Sequence, residues 1–408
     1  MNIHIITDLG YGDSGKGSMV DYIIRAGRSD SKKFLVIRLQ GGHQVGHTVK
    51  FDEPGKTPVL HEFRNFGSGT FQGIDTWYGP ETTMFPLGLE AEYNELLLKK
   101  FKPFNYYHPD VMVTTSYDIA FNRWSEDSKG IKRHGSVGMG FNATIERNKK
   151  CQFTVGMLVN SNQYILQLKL QSIKDYYRDW GVPSSVLDEV DFAGEIEVYS
   201  NVAKSGIFDV RALPKHNLYT DLIFEPNQGI LLDQKYGMFP HVTRSTTTSA
   251  AAYEYITKHF KTDYKVIKRY AISRCYHTRH GAGPFDQFPI ELKNTEMESN
   301  KFNSYQHDFK VSKLDLQLLE YALRVNFLEH SEIENARIVD HVVFTCFDQL
   351  MTQYIECVTR TDDGISEFCL DPTEFTKYLI NKLNLDVLRT ARFWVSINPK
   401  MHLIETCR

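Results

Sequence analysis

Short apolar runs alternate with polar, glycine-bearing segments along the 408 residues of this chain. Ile3-His4-Ile5-Ile6 and Phe34-Leu35-Val36-Ile37 predict strands over 3–8 and 34–39, and the segment between them predicts a helix near 16–27. A strand–helix–strand unit of this length implies parallel pairing. Glu90 to Phe101 reads as a helix, with Leu96-Leu97-Leu98 ahead of a lysine pair. Asn160 to Trp180 reads as an amphipathic helix stopped by Gly181-Val182-Pro183. Val266 to Ile272, Val342 to Thr345 and Phe393 to Ile397 predict further strands. Asp315 to Asn326, with Leu316, Leu318, Leu319 and Leu323 turned to a core, and Glu374 to Leu385 predict two more helices. Residues 125–150 are polar and glycine-bearing, and predict a long active-site loop. No repeat, low-complexity tract or linker divides the chain. The pattern predicts an α/β fold: a single large domain over 1–408 with a mostly parallel central sheet, a P-loop-like N-terminal loop, and helical and loop excursions.

Two glycine-rich loops follow the first two strands. Gly10-Tyr11-Gly12-Asp13-Ser14-Gly15-Lys16-Gly17 has the Gly-x4-Gly-Lys spacing of a phosphate-binding loop, in which glycines turn backbone N–H groups toward an anion at a helix N-terminus. Gly17 stands where such loops carry Ser or Thr for Mg²⁺, and Asp13 would repel phosphate unless it binds a metal or acts as a base. Gly41-Gly42-His43-Gln44-Val45-Gly46-His47-Thr48 puts two histidines in a turn where an imidazole can exchange a proton with a ligand. His43 and His47 are four apart, a metal-pair spacing on a helix, but the glycines predict a loop.

In these loops the chain resembles the adenylosuccinate synthetases, which carry Gly-Asp-Glu-Gly-Lys-Gly and Gly-Gly-His-Asn-Ala-Gly-His-Thr. The likeness continues in order through Gly135-Ser136-Val137-Gly138-Met139-Gly140, Glu225-Pro226-Asn227-Gln228-Gly229-Ile230-Leu231-Leu232-Asp233, Pro240-His241-Val242-Thr243, Thr278-Arg279-His280-Gly281-Ala282-Gly283-Pro284-Phe285 and Thr345-Cys346-Phe347-Asp348. The resemblance implies a ligase in which GTP phosphorylates the 6-oxygen of IMP and the amine of L-aspartate displaces that phosphate. It implies Asp13 as the base at purine N1, His47 as the group that stabilises or protonates oxygen during transfer, and Lys16 as a charge on the transferred group. Mg²⁺ would be held by Asp13 and the Gly46 carbonyl. Gly12, Ser14, Gly15, Gly17, Gln44, Gly46, Thr48, Ser136, Gln228, Thr243, Asp348 and Ser396 fall at nucleotide-binding positions, and Arg279 and Lys310 at amino-acid-binding ones. The resemblance also implies a homodimer in which an arginine of one subunit reaches the other's nucleotide; Arg147 is the nearest counterpart, and a solvated loop arginine is the competing reading.

Departures mark where the substrate could differ. Ser14 replaces Glu, Gln44 replaces Asn, and Val137 replaces a phosphate-contacting Thr beside Ser136. An arginine-rich amino-acid loop becomes Gln306-His307-Asp308-Phe309-Lys310-Val311-Ser312-Lys313-Leu314-Asp315, which exchanges bidentate clamps for the point charge of Lys310. Cys346 replaces the lysine of a guanine-reading Thr-Lys-x-Asp motif while Asp348 remains, and Ser396-Ile397-Asn398-Pro399 replaces Ser-x-Gly-Pro. GTP is the expected donor, with ATP and dATP open. The viral 2-aminoadenylosuccinate synthetases, which use dGMP, loosen the same motifs; Asp13 favours IMP, because part of that branch has serine there. A catalytically altered nucleotide-binding paralogue is the alternative of another class.

Composition narrows the class further. A net charge of −3 supplies no cationic surplus for nucleic acid. No run reaches the roughly 18 apolar residues of a membrane span, and the N-terminus enters a strand without a basic-then-apolar leader. Six cysteines without CxxC spacing read as reduced thiols. A cytoplasmic enzyme is expected.

Overall fold

The computed structural model describes residues 1–53, 55–130, 135–260, 265–293, 309–328, 336–383 and 385–406. Among them the main sheet has 11 strands. Ten of these are β1 (Asn2–Asp8), β2 (Phe34–Gly41), β3 (Thr76–Met84), β4 (Asn105–Tyr107), β5 (Phe208–Val210), β6 (Asp221–Phe224), β7 (Val266–Arg274), β8 (Arg337–Thr345), β9 (Arg392–Ser396) and β10 (Leu403–Glu405). Their order is β10-β9-β8-β7-β1-β6-β2-β3-β4-β5, and the two-residue strand Met112–Val113 pairs with the end of β3. Every pairing is parallel except that of β9 with β10. The expected α/β fold with a mostly parallel sheet is therefore present.

The central strands are apolar on both faces, as parallel sheets covered by helices require. Helix Lys16–Gly27 packs Met19, Val20, Ile23 and Ile24 with Ile6, Ile223 and Ile272 on one face. Helix Ala250–His259 packs Tyr253 and Ile256 with Ile3, Ile5, Leu35 and Leu222 on the other. The chain leaves β1 for β2 on one side, and later crosses from β6 to β7 on the other side of β1. Such a reversal leaves a crevice at the C-terminal strand ends, where open α/β sheets bind ligands.

The expected strands and helices are present with shifted ends. The helix expected from Glu90 runs Pro86–Leu98, because Pro86 at its start suits a first turn, where an N–H would be unpaired. The loop expected over 125–150 is a correction. Helix Ser116–Ser128 overlaps its start, and Phe141–Asn148 is a second helix begun by Gly140. Both are polar by sequence because they bury a charge. Arg147 is fully buried and forms a two-point pair with Asp118, 3.0 Å from Oδ1 and 3.1 Å from Oδ2. It also donates to the carbonyls of Val113 and Cys151, and Tyr177 donates to Asp118. Arg147 is thus a buried core residue and not a solvated one, with its guanidinium held by partners in its own chain.

Among the described residues no helix is long and apolar enough to cross a membrane. Cys151, Cys275, Cys346, Cys357 and Cys369 are in no disulfide among the described residues; Cys407 lies outside them.

Two stability measurements follow. Arg147→Met strands the buried Asp118 carboxylate, and urea unfolding is expected to show a loss of roughly 3–5 kcal/mol. Burial raises the Glu195 carboxyl to about 7, despite the hydrogen bond it accepts from the Ser116 amide. A raised acid stabilises the fold fully below its unfolded value of about 4.3, and that contribution is lost as pH rises through 7. Glu195→Gln should therefore be neutral near pH 4 and gain up to about 3 kcal/mol over wild type by pH 8.5.

Candidate active site

Asp8, at the end of β1, organises the first loop. Its carboxylate accepts from Gly10 N (2.8 Å), Ser14 N (3.1 Å), Ser14 Oγ (2.8 Å) and Lys16 Nζ (2.8 Å). Burial alone would push this carboxyl up; the Lys16 ammonium and these hydrogen bonds hold it below the usual range. Ser14, which stands where the family has an acid, here donates to Asp8 through both its amide and its hydroxyl. Lys16 is buried and also donates to the Gly12 carbonyl, so it braces the loop while bordering the smaller of two cavities. Sequence reasoning missed Asp8, which reads as an ordinary strand end.

Those two cavities flank the loop. One, of about 390 Å³, is bordered by Gln44, Ser136, Gln228, Thr243, Arg279 and His280. The other, of about 150 Å³, is bordered by Gly15, Lys16, Gly17, Thr48, Asp348 and Ser396. Gly12, Asp13, Gly46 and Glu62 border both. Gly12 has φ +120°, and a side chain there would strike Gln228. At Gly46 a side chain would strike the Glu62 carboxylate.

His47 borders the smaller cavity. Its Nδ1 is 2.6 Å from Glu225 Oε1, and Arg38 Nε donates to Glu225 Oε2 at 3.0 Å. Ser68 also donates to Glu225. Burial pushes Glu225 up, but Arg38 and His47 outweigh it and keep the carboxylate ionised. Burial pushes His47 down to about 4, against the pull of Glu225. Nδ1 lies between Glu225, which can only accept, and Arg38 Nη2 at 3.1 Å, which can only donate; the shorter contact, 2.6 Å to Glu225, assigns the proton of the neutral imidazole to Nδ1. Its Nε2 has no hydrogen-bond partner among the described residues. Glu225 and Arg38 received no role from the sequence; the signal was a carboxylate directly after the buried strand β6.

The second expected histidine is placed elsewhere. His43 is buried against the Phe85 ring, 4.8 Å between centroids, and borders neither cavity. Burial lowers it to about 3, so it is a neutral core group. Ser136 accepts from Asn122 at 3.0 Å, Thr243 Oγ1 lies 3.3 Å from Ser245 Oγ, and Ser396 donates to the Asn398 carbonyl at 2.9 Å. Arg279 gives its terminal nitrogens to the carbonyls of Pro284 (2.9 Å) and Ala282 (2.8 Å). Lys310 donates to the Gly281 carbonyl at 2.9 Å and borders neither cavity. Residues 306–308 of the altered amino-acid segment lie outside the described residues.

Asp13 and the Gly46 carbonyl are hard oxygen donors at the shared wall, and the Asp13 side chain is 26% exposed. No group of three or more His, Cys, Asp or Glu among the described residues is arranged for a metal. A carboxylate and a carbonyl are the donor types that Mg²⁺ takes, with water and phosphate oxygens supplying most of its shell.

Comparison with known proteins agrees with this geometry. The family profile described as adenylosuccinate synthetase matches residues 5–343. An adenylosuccinate synthetase of Borrelia duttonii (strain Ly) is 26% identical over 84% of this chain and 78% of its own length. That of Chlorobium phaeobacteroides (strain DSM 266 / SMG 266 / 2430) is 27% identical over 99% of this chain and 89% of its own. Among solved structures, fully ligated adenylosuccinate synthetase from Plasmodium falciparum superposes with a TM-score of 0.71 at 16% identity, covering 100% of both chains. The cyanophage S-2L succinoaminodeoxyadenylate synthetase, bound to dGMP and dATP as an energy donor, gives 0.59 at 14% identity, covering 100% of this chain and 96% of that one. The chain belongs to the adenylosuccinate synthetase family and is a ligase of that type, joining a purine nucleotide to aspartate with hydrolysis of a nucleoside triphosphate.

Proposed function

We propose that the purine nucleotide is IMP, bound in the larger cavity, and that GTP binds in the smaller one. The observation that carries this reading is the shared wall: the base Asp13 faces both spaces, so a purine 6-oxygen and a γ-phosphate can meet across it. Asp13 takes the N1 proton, and the 6-oxygen gains the electron density to attack phosphorus. His47, protonated at Nε2 from solvent as the triphosphate binds, would stabilise or protonate oxygen during the transfer, while ionised Glu225 holds Nδ1–H and steadies the imidazolium. Lys16 shifts from the Gly12 carbonyl toward the transferred group while keeping its ion pair with Asp8. Mg²⁺ at Asp13 and Gly46 would supply charge neutralisation between the phosphates. Gln228 would read the base edge, and Ser136 and Thr243 the monophosphate; Asp348 and Ser396 would meet the guanine. Aspartate's amine then displaces phosphate from C6. Of the two expected anchors for its carboxylates, Arg279 borders the larger cavity and would meet them by releasing the carbonyls of Pro284 and Ala282, while Lys310 would have to leave the Gly281 carbonyl to reach it. The proposed assembly is a homodimer.

A second reading, dGMP with ATP or dATP, is favoured by Cys346, which borders the smaller cavity where the family motif has a lysine. The test is phosphate release with Mg²⁺ across IMP or dGMP and GTP, ATP or dATP, with and without L-aspartate. Release that needs IMP, GTP and aspartate together is the expected outcome; release with dGMP alone would replace the first reading by the second. Asp13→Asn is expected to retain nucleotide binding and to lose turnover by roughly 10²–10⁴-fold. Retained turnover would remove Asp13 as the base.

A further inference from the structure

His280 stands where the corresponding family motif has valine, and the structure puts it on the wall of the larger cavity. Its Nε2 is 3.5 Å from Asp13 Oδ2, with the two side chains 19% and 26% exposed. The imidazole lies against the Phe309 ring, centroids 4.7 Å apart and planes at 39°. This contact follows from strand register: Arg279 pairs with Lys310 in an antiparallel bridge, which sets His280 opposite Phe309. The same ring also faces Arg274, whose guanidinium carbon is 5.6 Å from its centroid. Arg274 Nε donates to the Asp13 carbonyl oxygen at 2.5 Å. Asp13 is therefore approached at its carboxylate by His280 and at its backbone by Arg274, and both rest on one aromatic ring.

We propose that His280 is a positioning residue for Asp13. Directed at Oδ2, the imidazole N–H fixes the carboxylate rotamer and leaves Oδ1 to meet the purine N1–H. Each carboxylate oxygen has two acceptor positions, so this contact leaves Oδ2 able to hold another ligand. A contact of 3.5 Å is loose, and such catalytic contacts tighten when substrate closes the site. Phe309 fixes the imidazole and belongs to the 306–315 segment, whose family counterpart binds the amino acid. The segment that lost its arginines thus acquires a second task, holding the base for the phosphoryl step.

This inference rests on the reaction proposed above, and its test isolates the first half of that reaction. The measurement is exchange of ¹⁸O between bridging and non-bridging positions of GTP, with Mg²⁺ and the monophosphate but without aspartate. It is made on wild type, His280→Val and His280→Gln, with calorimetric Kd values for the monophosphate. His280→Val restores the family's own residue, so the fold accommodates it. It is expected to slow exchange by roughly 10–100-fold with Kd unchanged, the loss that a misplaced reacting group produces. His280→Gln, which keeps an N–H donor at similar reach, is expected to recover most of that rate. Exchange at the wild-type rate in His280→Val would overturn the proposal, as would a glutamine variant no faster than the valine one. Wild type that exchanges with no purine monophosphate would instead remove the parent reading, and the inference with it.

Discussion

Asp8 sits at the end of β1 with its carboxylate wholly buried, and an unpartnered charge there would cost several kcal/mol. The loop that follows answers that demand: two backbone amides, a hydroxyl and the Lys16 ammonium converge on it. Satisfying Asp8 winds residues 10–16 into a tight turn, begins the helix at Lys16, and leaves Asp13 at the crest. Thr345, at the end of β8, ties down the far side by donating to the Ser14 carbonyl at 3.0 Å. The wall between the two cavities is this turn.

A second buried carboxylate does the same for the opposite bank. Glu225 leaves β6 between β1 and β2 and gathers Arg38, His47 and Ser68. Arg38 offsets the cost of burying the charge, so Glu225 stays ionised and His47 stays neutral with Nδ1 protonated. Both carboxylates follow from one topological fact. β1 and β6 are neighbours at the point where the strand order reverses, so their C-terminal ends open onto the same crevice.

The departures from the family pattern have different physical weights. Ser14 is part of the loop's own bracing, because its amide and hydroxyl both donate to Asp8. Lys310 is spent on the Gly281 carbonyl and Arg279 on two others, so both shape the 279–284 turn. Arg147 looks by sequence like a free cation next to a glycine loop, yet it is the core of a buried network with Asp118 and Tyr177.

Much was legible in the sequence because it depends on neighbours in the chain. Apolar runs marked β1, β2 and β7; glycine spacing marked both loops; and Asp13, Lys16 and His47 followed from motif order. The four-residue strand β6 was too short to show periodicity, and the helices over 116–128 and 141–148 bury polar groups, which hides their inner faces from hydropathy. Tertiary structure alone decided that Glu225 meets His47, 178 residues away in the chain. It also decided that His43 belongs to the core and that His280 approaches Asp13. Such pairs arise from strand order and register, and a buried charge selects its partner by proximity in space, which no local pattern of side chains encodes.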